Sequence, residues 1–152
     1  MTRDRLDELF QHCADIGVEV EWADLGPRRR GEYQWWRRTI VLSTRMVDRT
    51  IPIALAHELA HAIFDDRETT ALCERRAWEW AAAYLVTPSS YRRAEWVVGS
   101  EPRLLAAELE VNVHIIEAWR RWWEKRGHKL DAVTLEDPWL GVDEDDDTTA
   151  HA

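Results

Sequence analysis

Hydrophobic positions along the chain predict a mixture of helices and short strands. Apolar residues recur every three or four positions over residues 3–16, which is the period of an amphipathic helix. Residues 18–22 alternate apolar and charged side chains, the period of a half-buried strand. After a turn-rich break, residues 32–36 and 39–42 have the composition of two further strands. We therefore expect a short three-stranded antiparallel sheet after the first helix.

The second half of the chain predicts helices. Residues 51–64 form a largely apolar helix, and Pro52 suits its first turn because the missing N–H has no partner there anyway. Residues 70–86 have helical period and stop at Pro88, and residues 91–98 repeat the pattern. Residues 102–123 have the spacing of two short helices joined at residues 110–112. The predicted class is α+β, with the sheet packed on the helix at 51–64.

The length of 152 residues suits one hydrophobic core. We predict a core domain over residues 1–99 and a helical subdomain packed on it over residues 100–128. Residues 129–152 lack periodicity, and residues 136–147 contain seven acids and no base, a composition typical of a disordered tail.

Charge and cysteine content narrow the possible functions. The net charge is −9, and removing the acidic stretch leaves about −2, which argues against a protein that mainly grips phosphate backbones. Cys13 and Cys73 form no disulfide framework, and no signal peptide or membrane-spanning run is present. These features predict a cytoplasmic protein without membrane contact.

The most informative motif is His57-Glu58-Leu59-Ala60-His61, set in the apolar helix. Its spacing puts two imidazoles one helical turn apart, roughly 5–6 Å between Cβ atoms, so that both can bind one zinc ion. Glu58 lies at the edge of the same face, where it can take a proton from a metal-bound water. The motif predicts a zinc peptidase.

A catalytic zinc site needs a third protein ligand. Glu74 is the best candidate, because a carboxylate on the apolar stripe of the next helix is costly to bury unless a cation meets it. Asp65, Asp66 and Glu68 are alternatives in the loop between the two helices, where solvated acids are ordinary.

Other polar and aromatic residues have less specific signals. Glu79 has Arg75 one turn before it, which predicts an exposed ion pair. Tyr84, Tyr91 and His114 are candidates for stabilising an oxyanion, although such residues more often belong to the core or the surface.

Residues 57–61, together with residues 74–82, resemble the ImmA/IrrE metallopeptidases, a family of small gluzincin-like zinc proteins common in phages and mobile elements. The similarity covers roughly residues 18–88. It implies a zincin-like domain in which His57, His61 and Glu74 bind zinc and Glu58 is the general base. It also implies an endopeptidase that cuts a transcriptional repressor.

The sequence departs from the family pattern at one position. The second helix of the family reads Glu-x-x-Ala-Asp, and Trp78 stands where the Asp would support a ligand histidine. Loss of such a partner costs about 10–100-fold in affinity or activity. The site could therefore be weaker, or Asp65 or Asp66 could substitute, or the protein could act as a zinc-bound adaptor that binds a regulator without cutting it.

The predicted reaction is Glu58-assisted attack of zinc-bound water on a peptide bond, with the substrate adding as a strand beside residues 39–42. A third interpretation comes from the C-terminal helix pair, whose spacing resembles a helix-turn-helix. Residues 101–126 carry five bases and five acids, which favours a helical subdomain over a DNA-binding module. The sequence leaves the oligomeric state open.

Overall fold

A computed structural model describes residues 2–126 of the chain. Its α+β class agrees with the prediction, and the predicted tail at residues 129–152 lies outside the described residues. A short 3₁₀ turn spans Asp48–Thr50. The elements, in order, are α1 Thr2–Asp15, β1 Glu19–Ala23, β2 Gly31–Gln34, β3 Thr39–Ser43, α2 Ile51–Ile63, α3 Ala71–Leu85, α4 Pro88–Val98, α5 Pro102–Leu109 and α6 Val113–Lys125.

The sheet is mixed, so the prediction of an antiparallel sheet was wrong for one strand. The strand order is β1-β3-β2, with β2 antiparallel and β1 parallel to β3. A tight turn with Arg38 in the left-handed region (φ 46°) joins β2 to β3 and makes them a hairpin. Alternating hydrophobicity fixes which face of a strand is buried, but it does not fix the direction of the neighbouring strand.

The central position of β3 also corrects the predicted site of substrate pairing. Every residue of β3 is buried, and both of its edges are paired. Residues 39–42 therefore offer no free edge to a peptide. The strand with a free edge on the side of α2 is β2, which packs against that helix.

Helix α2 lies at the centre of the molecule. All of its residues from Pro52 to Ala62 are buried, and it contacts α1, α3, β2 and β3. Leu55 and Leu59 are fully buried in the same cluster as Ile40 of β3. A helix surrounded in this way holds its polar side chains in fixed positions.

The C-terminal helices pack on the same core. Helix α6 buries Ile115, Ile116 and Trp122, and the indole N–H of Trp119 donates to the carbonyl oxygen of Val86 at 2.8 Å. Helices α5 and α6 are joined at residues 110–112, as predicted, and the Asn112 side chain caps the start of α6. Within residues 2–126, no helix combines the length and apolarity needed to cross a membrane.

Glu79 differs from its prediction. It is only 5% exposed, and its carboxylate accepts hydrogen bonds from Lys125 at 3.0 Å and from Arg121 at 3.4 Å, both on α6. The neighbouring Arg75 was the expected partner, but α6 covers this side of α3 and supplies the cations instead.

Candidate metal centre

The two histidines of α2 converge on one point. Their spacing of four residues puts both imidazoles on one helix face, and the Nε2 atoms of His57 and His61 lie 3.2 Å apart. Each residue is 8% exposed. The pair is therefore fixed by the buried helix, with two ligand nitrogens directed at a shared position.

Helix α3 brings a carboxylate to the same position. Glu74 has Oε2 at 3.2 Å from Nε2 of His57 and Oε1 at 2.9 Å from Nε2 of His61. The ligand atoms of the three residues all lie within 4.8 Å of one another, so the group could hold a metal ion. Of the candidates for a third ligand, the structure brings Glu74 to the two histidines. The loop residues Asp65 and Glu68 lie outside this group.

Asp66 contacts the ring nitrogen of His61 that does not face Glu74. Its Oδ2 accepts a hydrogen bond from Nδ1 of His61 at 2.9 Å, and its Oδ1 accepts one from Arg76 at 2.7 Å. The side chain of Asp66 is 5% exposed, whereas Asp65 is exposed and pairs with Arg67. An acceptor at Nδ1 leaves Nε2 of the neutral imidazole with a free lone pair for a metal.

His57 has no such support. Its Nδ1 is buried and has no hydrogen-bond partner among the described residues. The ring of Trp78, one turn after Glu74 on α3, lies 4.2 Å from the His57 ring, centroid to centroid. The indole therefore packs against His57 from the sequence position at which the family pattern has an Asp.

Glu58 is held in a tight, largely buried position beside the histidines. It is 8% exposed, and burial raises the pKa of its carboxyl, an effect that His57 and His61 partly oppose. A β-carbon added to Gly31 of β2 would lie 3.0 Å from Cγ of Glu58. This role of Gly31 was not predictable from the sequence, because the contact depends on how β2 crosses α2.

The charges at this site compensate each other. Burial lowers the pKa of His61, but hydrogen bonds to Glu74 and Asp66 outweigh it and raise the pKa to about 9. The two histidines in turn hold the pKa of Glu74 well below its usual range. Two carboxylates thus favour a positive charge at the histidine pair, a requirement that a divalent cation would also meet.

The site opens into a cleft of about 690 Å³. Strand β2 forms one wall, and α2 and α3 form the base. His114, at the start of α6, lines the cleft and stacks on Trp78 at 5.7 Å between ring centroids. The other two oxyanion candidates lie elsewhere, because Tyr84 stacks on Trp80 and Tyr91 on Trp119.

Two imidazoles from a buried helix, completed by a carboxylate from the next helix, form a site typical of metallopeptidases. A family model, Peptidase_M78, described as the IrrE N-terminal-like domain, matches residues 13–118. The chain belongs to this family, which is a family of metallopeptidases, and the resemblance in the sequence is confirmed. No significant match was found among curated proteins or among solved structures.

Proposed function

We propose that the protein is a zinc-dependent endopeptidase in which His57, His61 and Glu74 hold the metal and Glu58 is the general base. The observation that carries this proposal is the convergence of the three ligand atoms within 4.8 Å beside a buried carboxylate. Family membership supports the same reaction class.

The donor set favours zinc over magnesium or calcium. Two imidazole nitrogens and one carboxylate are ligands that zinc accepts readily, whereas magnesium and calcium prefer oxygen ligands alone. Zinc bound here would act as a Lewis acid on the scissile carbonyl and would make a water molecule more acidic.

Glu58 handles the proton in the proposed reaction. A carboxylate with a raised pKa accepts a proton from the attacking water and later donates it to the leaving amine. Gly31 keeps the backbone of β2 close to Glu58 and so limits the positions its side chain can take.

The free edge of β2 is the proposed binding surface for the substrate backbone. An extended peptide would add to this edge and pass the metal ligands on α2, which lies next to β2. The substrate that the family resemblance favours is a transcriptional repressor of a phage or mobile element. A cleft of about 690 Å³ has room for a short extended segment of such a protein.

Metal analysis is the first test. Protein purified without chelator should contain close to one equivalent of zinc, and Glu74→Gln should lower that content. Less than about 0.1 equivalent in the wild-type protein would contradict the metal assignment.

Cleavage of a repressor encoded beside the gene is the second test. Glu58→Gln should lower the cleavage rate by about 10²–10⁴-fold while zinc content stays unchanged. The matched control is Glu68→Gln, which makes the same chemical change at an exposed position on the rim of the cleft. Equal cleavage by wild type and Glu58→Gln would remove Glu58 from the proposed role.

A second candidate function is that of a zinc-bound adaptor that binds a regulator without cutting it. The supporting observation is that the buried Nδ1 of His57 has no hydrogen-bond partner among the described residues, because a poorly supported ligand weakens the site. Stable binding of the repressor without cleavage, by the wild type and by Glu58→Gln alike, would favour this function over the peptidase.

A further inference from the structure

A second cavity of about 530 Å³ lies next to the catalytic cleft. Three arginines from separate parts of the chain line it: Arg5 on α1, Arg30 just before β2, and Arg49 just before α2. The two cavities share Arg30, Ile53 and Asn112 in their walls. The second cavity therefore adjoins the proposed peptide-binding site.

The three arginines are poorly neutralised. Within residues 2–126, none of them forms an ion pair, whereas Arg37, Arg45 and Arg76 each pair with a carboxylate. Among the described residues, Glu110 is the one acid in the wall of this cavity. Three guanidinium groups and one carboxylate leave an excess of positive charge, which an anionic ligand would relieve.

We propose that this cavity binds acidic side chains of the peptide substrate, close to the scissile bond. The inference rests on the proposed function, because the peptide is the one that would run along β2. Arg30 precedes Gly31, the residue packed against Glu58, so the cavity begins where that strand begins. A peptide that pairs with β2 and extends past Gly31 would bring its next residues toward Arg30 and the cavity.

An acidic peptide fits these observations better than a nucleic acid. Arg5, Arg30 and Arg49 line one pocket that shares wall residues with the cleft, whereas binding to a phosphate backbone uses an extended row of basic side chains. The surrounding walls come from small and apolar side chains such as Ala106 and Ile53. A guanidinium group can bind a Glu or Asp carboxylate through two hydrogen bonds in such a pocket.

Peptide binding tests the proposal directly. The probe is a fluorescein-labelled hexaglutamate peptide, and its affinity for the full chain is measured by anisotropy in the zinc-loaded and the metal-free protein. Arg5→Gln with Arg49→Gln should weaken binding by about 3–20-fold, the combined effect of two partly exposed ion pairs. The loss should persist without metal, where the peptide has no zinc to bind.

The matched control is Arg92→Gln with Arg93→Gln, which removes the same charge from exposed positions on α4. This control should change the affinity less than twofold. Equal weakening by the two pairs, or no weakening by the Arg5 and Arg49 pair, would overturn the proposal. A twelve-residue oligothymidylate is also tested. If it binds as strongly as hexaglutamate, and if that binding depends on Arg5 and Arg49, the proposal is overturned because the site would then bind phosphate.

Cleavage separates this inference from the proposed function. Two fluorogenic peptide pools share the same randomised centre. The Glu pool has flanking Glu-Glu-Glu segments, and the Gln pool has flanking Gln-Gln-Gln segments. Wild type should prefer the Glu pool, and the Arg5 and Arg49 pair should lose the preference. Suppose that Glu58→Gln abolishes cleavage but the Arg5→Gln and Arg49→Gln variant still prefers the Glu pool. The proposed peptidase function is then supported, and the proposed acidic subsite is refuted. If no pool is cleaved but hexaglutamate binding depends on Arg5 and Arg49, the subsite stands and the peptidase is refuted.

Discussion

The indole ring of Trp78 lies against the imidazole of His57, with ring centroids 4.2 Å apart and planes tilted by 39°. Nδ1 of His57 is buried there and has no acceptor among the described residues. An indole has no acceptor atom to offer, so the polar contacts of the His57 ring are confined to Nε2, which faces Glu74 at 3.2 Å. His61, one turn away, has the carboxylate of Asp66 at 2.9 Å. The two histidines of one motif are thus supported unequally.

Restoring a carboxylate at position 78 should strengthen the site. Trp78→Asp would give Nδ1 of His57 an acceptor and should raise zinc affinity about tenfold, measured by competition with a chelating dye. The same change removes a ring that packs on His114, so the temperature of unfolding should fall. Trp78→Phe is the control, because it removes the indole without adding an acceptor. Equal affinities for the two variants would contradict the expectation.

Weakening the hydrogen bond between His61 and Asp66 should lower zinc affinity. Asp66→Asn replaces a charged acceptor with an amide and should lower zinc affinity about 10–100-fold. Asp65→Asn makes the same change at the next residue, which is exposed, and should leave affinity within about twofold. Because Asp66 also pairs with Arg76, Arg76→Gln should be measured alongside. If Arg76→Gln lowers zinc affinity as much as Asp66→Asn does, the effect comes from the ion pair between Asp66 and Arg76 and not from the hydrogen bond between Asp66 and His61.

The stability of the metal-free protein should depend on pH. The pKa of His61 is raised from 6.5 to about 9, so its stabilising contribution is complete below pH 6.5 and disappears as the pH rises through 9. The pKa of Glu74 is lowered, so its contribution is present above pH 4.5 and disappears in acid. The unfolding temperature of chelator-treated protein should therefore fall between pH 6.5 and 9.

Two comparisons isolate this effect. Zinc should flatten the pH dependence over that window, because the metal replaces the proton at the histidine pair. Glu74→Gln should also flatten it in the metal-free protein, since a neutral amide no longer raises the pKa of His61. An unchanged slope in Glu74→Gln would show that other groups cause the dependence.

The contact between β2 and Glu58, the proposed general base, predicts an effect on turnover. In Gly31→Ala, the new methyl group would meet Cγ of Glu58 at 3.0 Å and the carbonyl oxygen of Val41 at 3.3 Å. Overpacking of this kind costs about 1–3 kcal/mol and displaces neighbouring groups. Cleavage should therefore slow about tenfold or more, while zinc content stays at the wild-type level because Gly31 is not a ligand. Wild-type turnover in Gly31→Ala would show that Glu58 tolerates the displacement.

The sequence predicted the parts of the site that depend on helical spacing. His57 and His61 are separated by one turn, and Glu74 lies on the apolar stripe of the next helix, so their meeting follows from two packed helices. The loop residue Asp66 was an open alternative, since no periodicity fixes where a loop side chain points. The structure assigns it to His61.

Predictions failed where distant segments decide the outcome. Glu79 was expected to be exposed because only its own helix was considered, yet α6 covers it and supplies Lys125. The direction of β1 depends on how the segment before β2 crosses the end of the sheet, and side-chain alternation contains no information on that path. Gly31 is part of the site for the same reason, since its contact joins a strand to a helix far along the chain.

The burial of Glu79 has a consequence for protein engineering. Helix α3 carries Glu74 toward the histidines and Glu79 toward α6, so one rigid element connects the candidate metal centre to the C-terminal helices. A shortened version that ends before α6 would uncover Glu79 and the partners of Trp122 together. We therefore expect the metallopeptidase unit to tolerate fusion partners more readily than deletion of its last described helix.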